Sequence, residues 1–581
     1  MQDAIASMSS KMKQMWEKKD ATWSHYKMKH FPINHFMPIP QNIEHEEGAQ
    51  ATNSIASPQP LNTHQHDSFI EGILHFEGNP LPDQALHKSS MASHAHYSKT
   101  HLLSTKQLLG LTFFAVSGGP FGLQAPMALG GPMLMLIGFW FIPFIWCIPM
   151  AIMTAEMACM IPESGGHVLW VYRAFGPFWS YVNGFFAFAC SVLDNALYPS
   201  LFVEYLLALM PTTPNGLPPL NYGWSVFIKM LVVMLVTIIN ILGIDVVGNV
   251  SLVLAFMVVA PFVIMCIAGL KHINYSWVED SISNEVNRGH FLATLLWNTS
   301  GIDVIGTCAS EVLTPSTSYP KAMKFSLLLL TGVFTIPTLI GVSIVPKQQN
   351  WNMGTYFQVA KVVGGKYLEG WMGFAALFSV LGLLLTRLCT NSRILYGMAQ
   401  VQQMPISFTL LHPKFATPWM AILTSSLCTI FFNFFNVYHL SEANMLFYAL
   451  STFLKFGALV QLRYIEPDVL RPFQIPLDKE LLIIISCLPI SMCVIMLFYA
   501  PARSQGIALI GTTMAVFSYI FKEFSDQRGI KEVTKNRLAS IQKNLGKMQA
   551  RIDFVIDSEL KTLQNLSSYV RSHHTTSQTH A

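Results

Sequence analysis

The stretch Ala115–Gly131, AVSGGPFGLQAPMALGG, lies inside the first long apolar region of the chain, yet Gly118, Gly119, Pro120, Gly122, Pro126 and Gly130 crowd it, with Pro132 directly behind. Both residue types weaken helix interiors, Gly through backbone entropy and Pro through its missing N–H. A plain membrane anchor has no use for them. A helix that stops in mid-membrane leaves N–H and C=O groups without partners, at several kcal/mol each unless protein, water or a ligand satisfies them. The stretch therefore predicts a broken helix whose exposed peptide groups bind something.

The rest of the chain fits that setting. Over 581 residues, 52% are hydrophobic and only 12% charged, too apolar for a soluble multidomain protein, in which about a quarter of residues are charged. Runs long enough to cross ~30 Å of hydrocarbon are read near 107–127, 132–157, 178–209, 224–243, 248–270, 291–313, 322–345, 367–399, 418–437, 441–463, 480–500 and 503–522, about twelve spans. Lys106, Arg173, Lys321, Lys324, Arg393, Lys414, Arg463 and Arg471 flank one side and fewer cations the other. The excess of positive charge predicts that both termini are cytoplasmic.

Residues 1–100 are polar and without a sustained apolar period, which predicts a disordered cytoplasmic tail. Residues 101–525 form the membrane domain, and 526–581 a cytoplasmic amphipathic helix and tail, with Leu538, Ile541, Leu545, Met548, Ile552 and Val555 on one stripe. The nine cysteines all fall in apolar spans without a CxxC spacing, so neither a disulfide framework nor a metal site is expected. The net charge of +4 sits on the flanks and the tail and points to no nucleic acid. HExxH and GxSxG motifs are absent, which argues against an enzyme.

Span six, TLLWNTSGIDVIGTCASEV, is interrupted at Thr299-Ser300-Gly301, about as far in as span one is at Ser117-Gly118-Gly119-Pro120. Small residues breaking the corresponding helices of two five-span halves point to an inverted-repeat transporter with its site near the bilayer midplane. The predicted fold is an all-α membrane protein of about twelve helices, a five-plus-five inverted repeat with broken helices 1 and 6 and two further helices.

Ionisable residues inside spans mark function, because a carboxylate at that depth costs ~2.5–3.5 kcal/mol or more to insert. Asp194 sits mid-span with Tyr198 one turn on, and burial suits it to carry a proton. Asp303 follows the break in span six and is the candidate for a substrate ammonium, with capping of the second half-helix as its structural alternative. Glu156 and Glu311, near the cytoplasmic ends of spans two and six, read as gate or salt-bridge residues. Arg387 and Lys455, in spans eight and ten, are either partners of these two acids or charges that snorkel to the interface, and the sequence does not pair them. Phe121, Trp297 and Tyr198 stand where aromatic faces cover a cation.

VSGGPFG in span one, TAEMACMIPESGGHVLWV after span two, AFGPFWSYVNG and DNALYP at span three, and EVLTPSTSYPKAM after span six resemble the amino acid, polyamine and organocation superfamily of permeases. Within it they resemble the plant and trypanosomatid polyamine uptake transporters. The resemblance implies secondary active, usually proton-driven uptake by alternating access, without a cofactor. Carried over by position, it places Ser117, Gly118, Gly119, Phe121, Asp194, Tyr198 and Asp303 around the site; with Trp297, Ser300 and Gly301, read from the break in span six itself, these make the expected substrate-binding set, and Asp194 is expected to couple the proton. The expected partners are a small cationic or amino acid substrate and the lipid bilayer, most simply that of the plasma membrane.

The chain departs from the branch at Gln124, where an acid is usual, and at Gly301 and Ile302, where plant members carry aromatics. These losses keep neutral amino acid transport or exchange, and a nutrient receptor on the same scaffold, beside the leading expectation of proton-coupled polyamine or cationic amino acid symport. Span five has no lysine to serve as a fixed cation, which leaves sodium open, with Thr386 and Thr390 as conceivable ligands.

Overall fold

The computed structural model describes residues 102–527, apart from 211–219, 276, 279–287, 348–349 and 435–436, together with positions 543 and 546. The expectations for 1–100 and for the stripe at 538–555 lie outside these residues, the two isolated positions excepted. Among the described residues every regular element is helical, and two isolated backbone bridges stand in place of strands.

Helix α1 (Thr105–Val116) opens on a capping box, with the Ser104 hydroxyl accepting from the Gln107 backbone N–H and the Gln107 side-chain Oε1 accepting from the Ser104 N–H. It stops at Ser117, and the chain runs unwound to α2 (Gln124–Ile142). Gly131, at φ 75°, turns α2 over, so its first residues finish span one and Pro132 begins span two. Pro143 has no N–H for the helical ladder, and the chain passes through a π-turn, Pro143–Cys147, before resuming as α3 (Ile148–Met160).

A short helix, α4 (His167–Phe175), precedes α5 (Pro177–Leu209), α6 (Tyr222–Leu242) and α7 (Ile244–Gly269), which are spans three to five. Span six is α8 (Arg288–Thr299), the break at Ser300–Gly301, and then two 3-10 turns, Ile302–Thr307 and Ala309–Glu311. The second α half-helix expected there does not form. α9 (Pro315–Ile344), α10 (Thr355–Gln400), α11 (Trp419–Phe432), α12 (Val437–Ile465), α13 (Lys479–Tyr499) and α14 (Ala502–Gln527) complete the chain.

Nine described helical segments are long and apolar enough to cross a bilayer, and the two interrupted spans with the shorter α11 bring the total to the twelve expected. Their burial separates two roles. The apolar windows of α5 and α10 are 72% buried, whereas those of α6 and α13 are 28% buried and that of α14 is 17% buried. Spans three and eight therefore lie in the interior and pack on each other, while the first half of span one lies against spans five, seven and eight. The outer helices turn Phe227, Ile484 and Phe517 outward, which only lipid solvates without cost.

Two backbone pairings tie the ends of the broken spans. The Leu103 N–H donates to the Glu311 carbonyl (2.8 Å) and the Leu313 N–H to the Leu103 carbonyl (3.0 Å), so the entry to span one is zipped to the exit of span six. The Gly165 N–H donates to the Thr307 carbonyl (3.0 Å), binding the connection after span two to the same exit.

Candidate solute-binding site

The peptide groups freed at the breaks find specific partners. In span one the Ser117 hydroxyl donates to the Gly119 carbonyl (2.8 Å) and accepts from the Gly119 N–H (3.1 Å), while Ser379 of α10 donates to the Gly118 carbonyl (2.6 Å). Gly119 takes φ 93°, a conformation that L side chains rarely adopt. In span six the Gly301 N–H donates to the Tyr448 hydroxyl (3.2 Å). The π-turn of span two aims Trp146 Nε1 at Ser300 Oγ (3.0 Å) and places Cys147 Sγ 3.7 Å from the Thr299 carbonyl. An interruption in one span thus stabilises the interruption in another.

Between the breaks lies a hollow of about 30 Å³, walled among others by Ser117, Gly118, Phe121, Tyr198, Trp297 and Arg387. That volume holds one or two waters. A diamine or an amino acid enters only if side chains move. Phe121 closes one side by packing edge-on against Tyr205 (5.7 Å), Phe262 (4.9 Å) and Tyr356 (6.3 Å).

Asp194 stands behind this wall, buried and held by partners from four residues. Oδ2 accepts from the Tyr198 hydroxyl (2.8 Å), and Oδ1 accepts from Trp297 Nε1 (2.8 Å) and Asn444 Nδ2 (3.2 Å). Arg387 of α10 brings its Nε to 3.2 Å from Oδ2. The acid is counter-charged, and two of the aromatics assigned to cover a cation spend their polar tips on it.

Asp303 was expected beside the same cavity or as a cap, and the structure places it elsewhere. Its side chain neither caps the 3-10 turn nor belongs to the hollow's wall. It is fully buried against Lys455 of α12 (Nζ–Oδ2 2.5 Å) and the Tyr448 hydroxyl, and the Lys455 ammonium also lies 4.4 Å from the Tyr448 ring centre. Lys455 thus forms a buried ion pair instead of reaching for the interface. The two cations that balance the buried acids come from spans eight and ten, Arg387 and Lys455.

Glu156 and Glu311 take partners of their own. Arg463 grips Glu156 with two bonds of 2.6 Å, Arg471 Nε lies 3.3 Å away, and the Ile475 N–H donates to the same carboxylate (2.9 Å). Arg393 holds Glu311 with two bonds of 3.0 Å. The first pair joins span two to span ten and the second joins the exit of span six to span eight. Glu156 is sealed from solvent, where interface water was expected to reach it.

The structure therefore gathers Ser117, Gly118, Phe121, Tyr198 and Trp297 around one hollow, with Gly119, Ser300 and Gly301 in the adjoining breaks. It sets Asp303 apart. Sequence reasoning named neither Tyr448 nor Asn444, and it left Arg387 and Lys455 without partners. Two uncompensated acids inside a membrane call for two cations, and that balance was the available signal.

Two interrupted helices meeting inside a bundle of membrane-length helices, with a small hollow between the breaks walled by polar, aromatic and one charged side chain, define an all-α membrane permease. The chain belongs to the amino acid permease family, whose pattern it matches over residues 101–521. It is 31% identical over 471 residues to a probable polyamine transporter of Arabidopsis thaliana, covering 80% of this chain and 92% of the relative. It is 32% identical over 438 residues to polyamine transporter PUT1 of Oryza sativa subsp. japonica, covering 75% and 79%. With the serine/threonine exchanger SteT of Bacillus subtilis it shares 24% identity over 366 residues, 61% and 81% of the two chains. The protein is an integral membrane transporter, not an enzyme.

Proposed function

We propose that the protein takes up small organic cations, polyamines or cationic amino acids, driven by a proton gradient, and that the hollow between the broken helices is where the solute binds. The observation that carries this reading is Asp194: a carboxylate in mid-membrane, reached through Tyr198, Trp297 and Arg387, all of which wall the hollow. An ammonium entering there meets a counter-charge and two aromatic rings, which offset much of its lost hydration. The names of the plant relatives support the same class of solute.

The two acids then exchange the roles expected from sequence. Asp194 attracts the solute, and Asp303, sealed with Lys455 and Tyr448 away from the hollow, gains and loses the proton. The flanking Lys and Arg residues argue for cytoplasmic termini, and in that orientation the pairs Glu156–Arg463 and Glu311–Arg393 close the cytoplasmic end. A plasma-membrane location suits an uptake carrier of this kind.

Liposomes holding the purified full-length protein, offered putrescine, spermidine, arginine or serine under separately imposed proton and sodium gradients, test the reading. Uptake of the amines driven by the proton gradient is expected. Asp303→Asn should leave exchange of putrescine while abolishing accumulation driven by pH, and Asp194→Asn should raise the half-saturating concentration in both assays. Loss of pH-driven accumulation in Asp194→Asn with unchanged half-saturation in exchange would reverse the assignment.

A second reading rests on Arg387, the one charged side chain among the residues walling the hollow. A guanidinium receives a substrate carboxylate well, which suits a neutral amino acid and the likeness to the serine/threonine exchanger. Serine uptake without amine uptake in the same liposomes would favour it.

A further inference from the structure

The partners of Arg387 are those that chemistry assigns to a bound organic cation. Its Nε is 3.2 Å from Asp194 Oδ2, in ion-pair range though off the line of a hydrogen bond, and its Nη2 donates to the Ser300 carbonyl (3.2 Å). That carbonyl closes the first half of span six, where the helix dipole presents its negative end and draws cations. Gly301 allows the approach: a Cβ at this position would overlap both terminal nitrogens of Arg387 and the Ala115 carbonyl, and φ is 106°. What space is left beside the guanidinium takes only water.

We propose that Arg387 is a resident counter-ion that fills the cation subsite of the empty carrier, and that the transported ammonium group binds by displacing it. The inference rests on the reading of the hollow as the binding site for organic cations, and it adds what sets the carrier's affinity and its choice of solute. While empty, the carrier keeps Asp194 neutralised and can reorient without a lone buried charge. When a cation arrives, Arg387 yields the carboxylate and the broken-helix carbonyl together. A neutral or anionic head group has nothing to offer Asp194 in exchange for the guanidinium.

Removing the resident cation should therefore have two opposed effects. The solute no longer competes for Asp194, so it binds more tightly, by about tenfold if the competing state dominates the empty carrier. The empty carrier, now holding an uncompensated carboxylate, reorients poorly. Net uptake and exchange should separate.

The experiment uses full-length protein in liposomes and labelled putrescine. Net uptake is measured into empty vesicles under an inward proton gradient, and exchange is measured in vesicles preloaded with unlabelled putrescine. For Arg387→Gln the expectation is a fall in net uptake of tenfold or more, continued exchange, and a half-saturating concentration for exchange lowered severalfold. Arg387→Lys, which keeps the charge but loses the fork, should preserve net uptake and lower the half-saturating concentration to a smaller degree.

Equal loss of net uptake and exchange in a monodisperse Arg387→Gln protein would overturn the proposal, as would an unchanged or raised half-saturating concentration. If Arg387→Gln does not fold, Arg387→Lys decides by the same criterion of half-saturation. The parent protein separates the two levels of the argument. Putrescine transport by the parent with the wrong behaviour of the variants defeats the role of Arg387 alone, whereas a parent that carries serine and no amine defeats the cation reading and this inference with it.

Discussion

The pair Lys455–Asp303 offers the sharpest test of how charge is balanced inside this bundle. The two side chains are 2% and 0% exposed, and their charged atoms are 2.5 Å apart. Lys455→Met keeps most of the side chain's volume and removes its charge, leaving Asp303 bonded to the Tyr448 hydroxyl without a counter-charge beside it. Taking one partner from a buried ion pair costs about 3–5 kcal/mol, because the other charge stays desolvated. At about 2 °C per kcal/mol, the low end for large domains, the thermal midpoint should fall by roughly 6–10 °C. The readout is the surviving monodisperse peak after heating detergent-solubilised full-length protein. Asp303→Asn combined with Lys455→Met should recover most of the loss, a coupling of about 2 kcal/mol or more. A midpoint for Lys455→Met within 2 °C of the parent, or single effects that simply add, would refute the argument that the pair is a mutually neutralising unit.

Glu311→Gln should weaken the tie to Arg393 by about 1.5 kcal/mol, the lower end for a bond to a charged group. Cys308, fully buried at the same junction, should then react about tenfold faster with a small thiol reagent, and an unchanged rate would deny this pair a gating role. Gly301→Ala combines a strained φ with overlap of Ala115 and Arg387; it should cost at least ~2 kcal/mol, read as a lowered thermal midpoint and lost putrescine uptake. In the connection between α10 and α11, His412 Nδ1 accepts from the N–H groups of Lys414 (3.2 Å) and Phe415 (3.4 Å), which requires the neutral ring. Burial and then the Lys414 charge lower its pKa from the ordinary 6.5. The stability this gives the connection is present above that ordinary value and is lost as pH falls through it toward the lowered one. The amides of Lys414 and Phe415 should therefore exchange hydrogen faster near pH 5 than near pH 7 after correction for intrinsic rates.

The spans and their two breaks were legible because they are local facts. A run of apolar residues fixes a membrane helix, and the Gly and Pro residues of 117–132 state where the first helix stops. The wall of the hollow was partly legible for the same reason, since Ser117, Gly118 and Phe121 sit in the break, and Tyr198 lies one turn from the acid it serves. What the sequence concealed is pairing at a distance. Trp297 reaches Asp194 across 103 residues and Lys455 reaches Asp303 across 152, and no periodicity reports such partners. The exit of span six failed for a different reason. IDVIGT contains no strong helix breaker beyond Gly306, yet its residues form 3-10 turns. There Gly306 lies against Trp170 and Tyr319 donates to the Ile305 carbonyl (2.9 Å), so tertiary contacts set the local geometry.

The zipper at Leu103 has a mechanical consequence. It sits where the polar stretch 1–100 gives way to the first span, and its two backbone bonds hold the exit of the sixth. A pull applied at Leu103 is passed by these bonds to residues 311–313, beside the Glu311–Arg393 clasp. None of these residues belongs to the wall of the hollow, so a load carried this way bypasses the hollow itself.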